Sequence, residues 1–215
     1  MVAVAKRRRV GNLLALAILS ALVERPMHPY EMATVLRERG KDQDMPIKWG
    51  SLYTVVQNLE KHGLVRVAGS DRDGARPERT IYALTEAGRD ELVDWVRELV
   101  STPERELPRF KAGLSVLGIL PPAEVAALLR QRLDVLEAQL AHSRAELARF
   151  TAELPRIFLI ESEYDLALQV AEVDWIRSLL DELTTGTLPG LADWQSWHDN
   201  GLPPAGGQAL DERGR

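Results

Sequence analysis

A chain of 215 residues, 45% hydrophobic and 27% charged, holds enough apolar material for one or two domains with real cores, which excludes a disordered polymer. The absence of cysteine excludes disulfide staples and thiolate metal sites, and suits a reducing cytoplasm. The net charge of -5 is unevenly spread: residues 1–89 hold 15 Lys+Arg against 10 Asp+Glu, and the remainder 12 against 22, so the front carries +5 and the back -10. A basic front joined to an acidic back suits a module that faces nucleic acid attached to one that faces something else.

Lys6, Arg7, Arg8 and Arg9 precede an apolar run from Val10 to Val23. The pair superficially matches the charged and apolar regions of a secretory signal. That reading is rejected, because the run leads straight into the next helix and has no convincing small-residue cleavage site. The run is expected to be a first helix, and the basic cluster either a solvated tail or a source of phosphate contacts. A second helix should begin at His28-Pro29, with proline suited to the first turn, and bury Tyr30, Met32, Ala33, Val35 and Leu36. The segment from Gly40 to Pro46 reads as a loop.

From Gly50 onward, Leu52, Val55, Val56 and Leu59 recur at i, i+3, i+4 and i+7, which puts four side chains on one buried face of a helix. The other face carries Ser51, Thr54, Gln57, Asn58 and Lys61, short donor and acceptor groups rather than the Glu and Ala of a merely solvated helix. Gly63 stops the helix. Two β-type runs follow, Leu64 to Ala68 and Thr80 to Leu84, joined by a polar loop in which Arg72, Arg76 and Arg79 alternate with Asp, Gly and Pro. A helix of hydroxyl and amide side chains, followed by a hairpin tipped with guanidiniums, suits a duplex reader. The helix fits a major groove and the arginines grip phosphates or enter the neighbouring minor groove. The DNA-facing set is Lys48, Ser51, Thr54, Gln57, Asn58, Arg72, Arg76 and Arg79, to which the family resemblance described next adds Tyr53. For Tyr53, a core ring with its hydroxyl reaching outward is the competing reading.

GSLYTVVQNLEKHGLV and then ARPERTIYALTEAGR resemble the winged helix-turn-helix of the PadR family of bacterial transcriptional regulators. The likeness rests on Gly50, Leu52, Tyr53, Leu59, Glu60, Gly63 and Leu64 in the helix, Arg76 and Pro77 in the wing, and Tyr82, Leu84, Thr85 and Gly88 at its close. It covers Val10 to about Val100. The chain departs from the family pattern at Val56, where leucine is usual, and at Ala75, where glycine is usual. The resemblance implies a fold that is mainly α with a small β-hairpin wing, a winged helix-turn-helix domain over 1–100 joined to a helical dimerisation domain.

Thr85 should cap a fourth helix running to about Val100 through Leu92, Trp95, Val96 and Leu99. Ser101 to Pro108 reads as a boundary, and Phe110 to Leu120 as a short apolar helix. After Pro121-Pro122 comes a long helix with a heptad seam at Leu129, Leu133, Leu136, Leu140, Leu147, Phe150 and Leu154. A last helix, from about Ser162 to Leu183, repeats the pattern with Leu166, Val170, Val173, Ile176, Leu180 and Leu183. Too few local partners are in view to bury both seams, so residues 109–185 are expected to dimerise with a second copy. The resemblance extends here to the longer PadR subfamily, whose carboxy-terminal helices dimerise. Residues 186–215, rich in Gly and Pro, read as a mostly disordered tail in which Trp194 and Trp197 dock a single helical turn.

No enzyme signature is present. His28, His62, His142 and His198 are scattered without metal-ligand spacing, and neither a phosphate loop nor a nucleophile elbow occurs, so no catalytic residue, metal or cofactor is expected. In small PadR relatives a tryptophan equivalent in helix to Trp95 lines a drug-binding pore; simple packing of Trp95 is the alternative. With Phe110 and Trp175 it forms the candidate effector set, for an aromatic or lipophilic small molecule held in a cleft between the modules. The expected function is a cytoplasmic, homodimeric repressor of double-stranded DNA at a palindromic operator, without membrane contact. The alternative is a winged helix that binds another protein.

Overall fold

The computed structural model describes residues 8–45, 47–71 and 79–201. It divides into two compact units, Met1–Arg105 and Glu106–Arg215.

In the first unit, α1 (Leu13–Ala21), α2 (Pro29–Glu38), the one-turn α3 (Lys41–Asp44) and α4 (Leu52–Lys61) precede strands β1 (Val65–Asp71) and β2 (Arg79–Leu84) and then α5 (Glu86–Ser101). Each helix start has a local cause. The Leu14 N–H donates to Asn12 Oδ1 at 2.8 Å, and the Glu31 N–H to His28 Nδ1 at 3.1 Å, so both orphan donors are satisfied. Pro29 opens α2 with a preset φ and no N–H to lose. α4 ends in a Schellman turn: Gly63 takes φ 72°, its N–H meets the Glu60 carbonyl, and the Leu64 N–H reaches back to Leu59 at 2.9 Å.

The core of this unit is built from Leu14, Ile18 and Leu19 of α1, Met32 of α2, Leu52, Val55, Val56 and Leu59 of α4, and Leu92 and Trp95 of α5. The expected α4 face is the one buried. Tyr30 departs from expectation: it is 65% exposed, because at the first turn of α2 it points off the face that Met32, Ala33 and Leu36 bury. Val96 and Leu99 of α5 are also exposed, since Leu92 and Trp95 alone meet the core.

β1 and β2 pair antiparallel, Val65 with Leu84 and Val67 with Tyr82, with a bulge between Val67 and Gly69. Met27, just before α2, adds a third edge: its N–H and carbonyl exchange bonds with Tyr82, both at 3.0 Å. The hairpin is thereby tied to the helices it flanks.

In the second unit, α6 (Arg109–Leu114) and a 3-10 turn (Leu117–Ile119) lead into α7 (Pro122–Thr151), which folds back through residues 152–159 into α8 (Ile160–Thr185). Val125, Ala126 and Leu129 pack on Ile176 and Leu180, with Leu133, Leu136, Leu179 and Leu183 alongside. Arg132 with Glu172 and Arg177 with Glu137 bridge the two helices. The two heptad seams therefore zip largely against each other within one chain, which revises the reasoning that they lack local partners. Exposed apolar side chains of these helices include a different stripe, Ile160, Tyr164 and Leu168 on α8 with Leu128 and Val135 on α7, while Trp175 and the seam residue Leu154 are also exposed.

The expectation of a mostly disordered tail is corrected for residues 191–200, which form α9 (Leu191–Asn200). The Trp194 Nε1–H donates to the Leu120 carbonyl at 3.0 Å and the ring joins the core of the unit, which supplies the apolar anchor that the Gly- and Pro-rich composition conceals. The part of that expectation covering 202–215 lies outside the described residues. No helix among the described residues is long and apolar enough to cross a membrane.

Candidate nucleic-acid interface

α4 presents Tyr53, Thr54, Gln57 and Asn58 outward while Leu52, Val55, Val56 and Leu59 are buried behind them. Tyr53 is 62% exposed, so its ring is no core group. Ser51 is half-buried, with its hydroxyl donated to the Lys48 carbonyl at 2.8 Å. That bond closes the 3-10 turn Trp49–Ser51 and aims the start of α4. Lys48 is exposed immediately before the turn. Behind it, the Arg37 guanidinium lies 4.2 Å from the Trp49 ring centroid, pinning the turn to α2.

Arg79 opens β2 and its guanidinium lies 3.5 Å from His28 Nε2. His28 in turn stacks on Tyr30, ring centroids 6.3 Å apart. The base of the wing and the N-terminus of α2 are therefore adjacent, a cluster that sequence reasoning missed because Tyr30 was assigned to the core. Arg72 and Arg76, with Ala75 and Pro77, lie outside the described residues.

Arg8, from the basic cluster, points away from any phosphate role. Its side chain is 4% exposed, lies over the Trp95 ring at 5.1 Å and bonds Glu91 and Glu98 of α5, with Asp94 at 3.8 Å. Burial alone would lower its pKa, but the bonds to Glu91 and Glu98 outweigh that and raise it. Trp95 is 5% exposed beneath it, filling the core of the first unit. The other two candidate effector residues come together in the second unit, where Phe110 and Trp175 meet edge to face at 6.1 Å.

An exposed polar helix face beside a two-stranded wing, with the helix seated on a three-helix core, is the arrangement of a winged helix-turn-helix. Residues 18–94 match the Transcriptional regulator PadR-like family. That match covers the helices and wing of the first unit up to α5. Similarity to the negative transcriptional regulator PadR of Bacillus subtilis runs over 177 residues at 21% identity, covering 79% of this chain and 96% of that protein. Among solved structures, B. subtilis PadR in complex with operator DNA is similar with a TM-score of 0.66 and 21% identity, over 80% of this chain and 99% of that one. The same regulator in complex with p-coumaric acid gives a TM-score of 0.67 at the same identity and coverage. The matched family and the similar B. subtilis protein are both described as transcriptional regulators.

Proposed function

We propose that this PadR-like chain is a homodimeric repressor that binds a palindromic operator and is released by a small molecule. The observation that carries the reading is the division of α4 into a buried apolar face and an exposed face of Tyr53, Thr54, Gln57 and Asn58. Amide and hydroxyl groups of this kind pair with base edges in a major groove, and Gln in particular with adenine. Lys48 and the wing arginines Arg72, Arg76 and Arg79 supply phosphate contacts. The B. subtilis regulator is a negative one and has been crystallised with operator DNA, which supports repression; its complex with p-coumaric acid supports an effector.

Dimerisation follows from the apolar stripe Ile160, Tyr164 and Leu168, spaced at i, i+4 and i+8 on α8 and exposed in the single chain. Two-fold related α4 helices then enter successive major grooves about one helical turn apart. The test is a gel shift and footprint on DNA immediately upstream of the protein's own gene. A protected two-fold site with half-sites one turn apart is expected. Equal affinity for that DNA and for scrambled DNA of the same composition would favour a winged helix that contacts protein.

A further inference from the structure

Two adjoining cavities in the second unit share Phe110, Leu114 and Arg132 as a common wall. The first, about 430 Å³, is lined by apolar side chains including Leu117, Ile119, Leu128 and Leu129, with Arg132 as its charged member. Its size and lining are those of a small-molecule pocket. The second, about 610 Å³, gathers Arg109, Lys111 and Arg132 around the single carboxylate of Glu172. Three cations around one anion is a local reversal of sign, since residues 90–215 as a whole carry 12 Lys+Arg against 22 Asp+Glu.

Arg132 is held for use. Its guanidinium lies over the Phe110 ring at 4.0 Å, and its Nε–H donates to Glu172 Oε1 at 2.9 Å, with Nη2 on the same oxygen. A guanidinium has five N–H donors in a fork, and one edge of the fork remains for a second carboxylate. We propose that the paired cavities bind a lipophilic monocarboxylate, its hydrocarbon part in the apolar cavity and its carboxylate on Arg132, with Arg109 and Lys111 adding to the positive field. As an effector site this rests on the regulatory reading above; as a ligand site it rests on the geometry alone.

The apolar cavity also has a built-in reporter. Its wall at residues 117–120 is gripped from outside by α9: Trp194 Nε1–H on the Leu120 carbonyl, His198 Nε2 at 2.9 Å from the Gly118 carbonyl, and the Trp197 ring so close that a Cβ on Gly118 would meet it at 3.3 Å. A ligand that presses on this wall changes the surroundings of both indoles, so their fluorescence follows occupancy.

The test uses the full chain without DNA, titrated below micellar concentrations with decanoate, decanol and decyltrimethylammonium, read by calorimetry and tryptophan fluorescence. Decanoate should bind roughly tenfold or more tightly than decanol, and the cation weakest, because only a carboxylate gains charge-assisted bonds to Arg132. Arg132→Gln should bring decanoate and decanol to equal affinity. Gly113→Leu should weaken binding of both, since Gly113 lines the cavity and a Cβ there meets nothing within 4 Å. Leu128→Trp, at a second exposed lining position, is a further filling variant should the first fold poorly. Failure of decanoate to bind, equal binding of all three probes, or undiminished binding by both folded filling variants would overturn the site. Decanoate binding that leaves operator affinity unchanged would keep the site and count against its role as an effector site.

Discussion

Gly88 approaches Leu64 so closely that a Cβ on Gly88 would sit 1.9 Å from the Leu64 carbonyl oxygen. The contact joins the first turn of α5 to the end of α4. Thr85 completes it: its Oγ1 accepts the Gly88 N–H at 3.0 Å, and its single proton is shared between the carbonyls of Gly63 at 2.7 Å and Leu64 at 3.0 Å. Gly88→Ala must push backbone apart, and should destabilise the first unit by about 2–4 kcal/mol. Thr85→Ala loses a cap and should cost about 1–2 kcal/mol. Urea unfolding checks both, with Gly113→Ala as a control expected to be neutral or slightly stabilising, because its Cβ meets nothing and alanine favours the helix.

These residues show what was legible in the sequence. The winged-helix fold was readable because the apolar spacing on α4, the cap at Thr85 and the stop at Gly63 each act within a few residues along the chain. Gly88 was readable as part of a motif, but its reason, a backbone oxygen 24 positions earlier, was not. Met27 pairs with Tyr82 through one residue on each side and leaves no periodicity to find. The heptad seams announced that a face is buried without saying against what, and here the neighbour is largely the other seam. Residue type left Trp95 open between a ligand and packing, and the basic cluster open between a solvated tail and phosphate contacts, whereas an indole under a guanidinium held by Glu91 and Glu98 is a satisfied core arrangement.

Arg8→Gln is accordingly a stability variant. Removing the guanidinium leaves Glu91 and Glu98 facing each other without it, and the partners' partial exposure limits the cost to about 1–2 kcal/mol. Thermal unfolding should show the loss, while the salt dependence of DNA binding stays that of the wild type. A shallower salt slope for Arg8→Gln would return the residue to the phosphate contacts.

Acid should loosen the first unit. The hydrogen bond from Arg25, at 2.5 Å, holds the Glu31 carboxyl below its ordinary value of 4.5, against a smaller opposing effect of burial. A carboxyl depressed in the folded state contributes stability that is fully present above its unfolded pKa and is lost as the pH falls through the folded value. Stability should therefore decline as the pH drops below about 4.5, and Glu31→Gln should decline less steeply from a lower starting point. Denaturation midpoints at neutral and acid pH, wild type against variant, measure the difference.

Dimerisation through α8 predicts a clean disruption. Tyr164 and Leu168 are exposed in the single chain and one turn apart, so a charge at Leu168 costs the monomer little and faces its symmetry mate across a two-fold interface. Leu168→Glu should shift sedimentation from dimer to monomer with the melting of isolated chains unchanged. A dimer of undiminished strength would move the interface elsewhere, with exposed Val93, Val96 and Val100 on α5 the next stripe to test.

The two halves of the DNA interface should fail differently. Gln57 stands on the exposed face of α4, where an amide can pair with a base edge in two places at once, so its loss removes discrimination at one position in each half-site. Gln57→Ala should reduce the preference for the correct base there by about 1–3 kcal/mol and leave binding to unrelated DNA unchanged. On the proposed reading, Arg79 at the start of β2, beside His28, and Arg76, expected from the sequence in the wing, contact phosphates, which carry no sequence. Each alanine substitution should weaken specific and unrelated DNA alike and lower the salt slope by about one unit, because one fewer counterion is released. Affinities on operator, single-base variants and unrelated DNA at several salt concentrations separate the two behaviours. Should Gln57→Ala weaken every sequence equally, α4 would be gripping the backbone, and base reading would have to pass to Thr54 and Asn58 or to the wing.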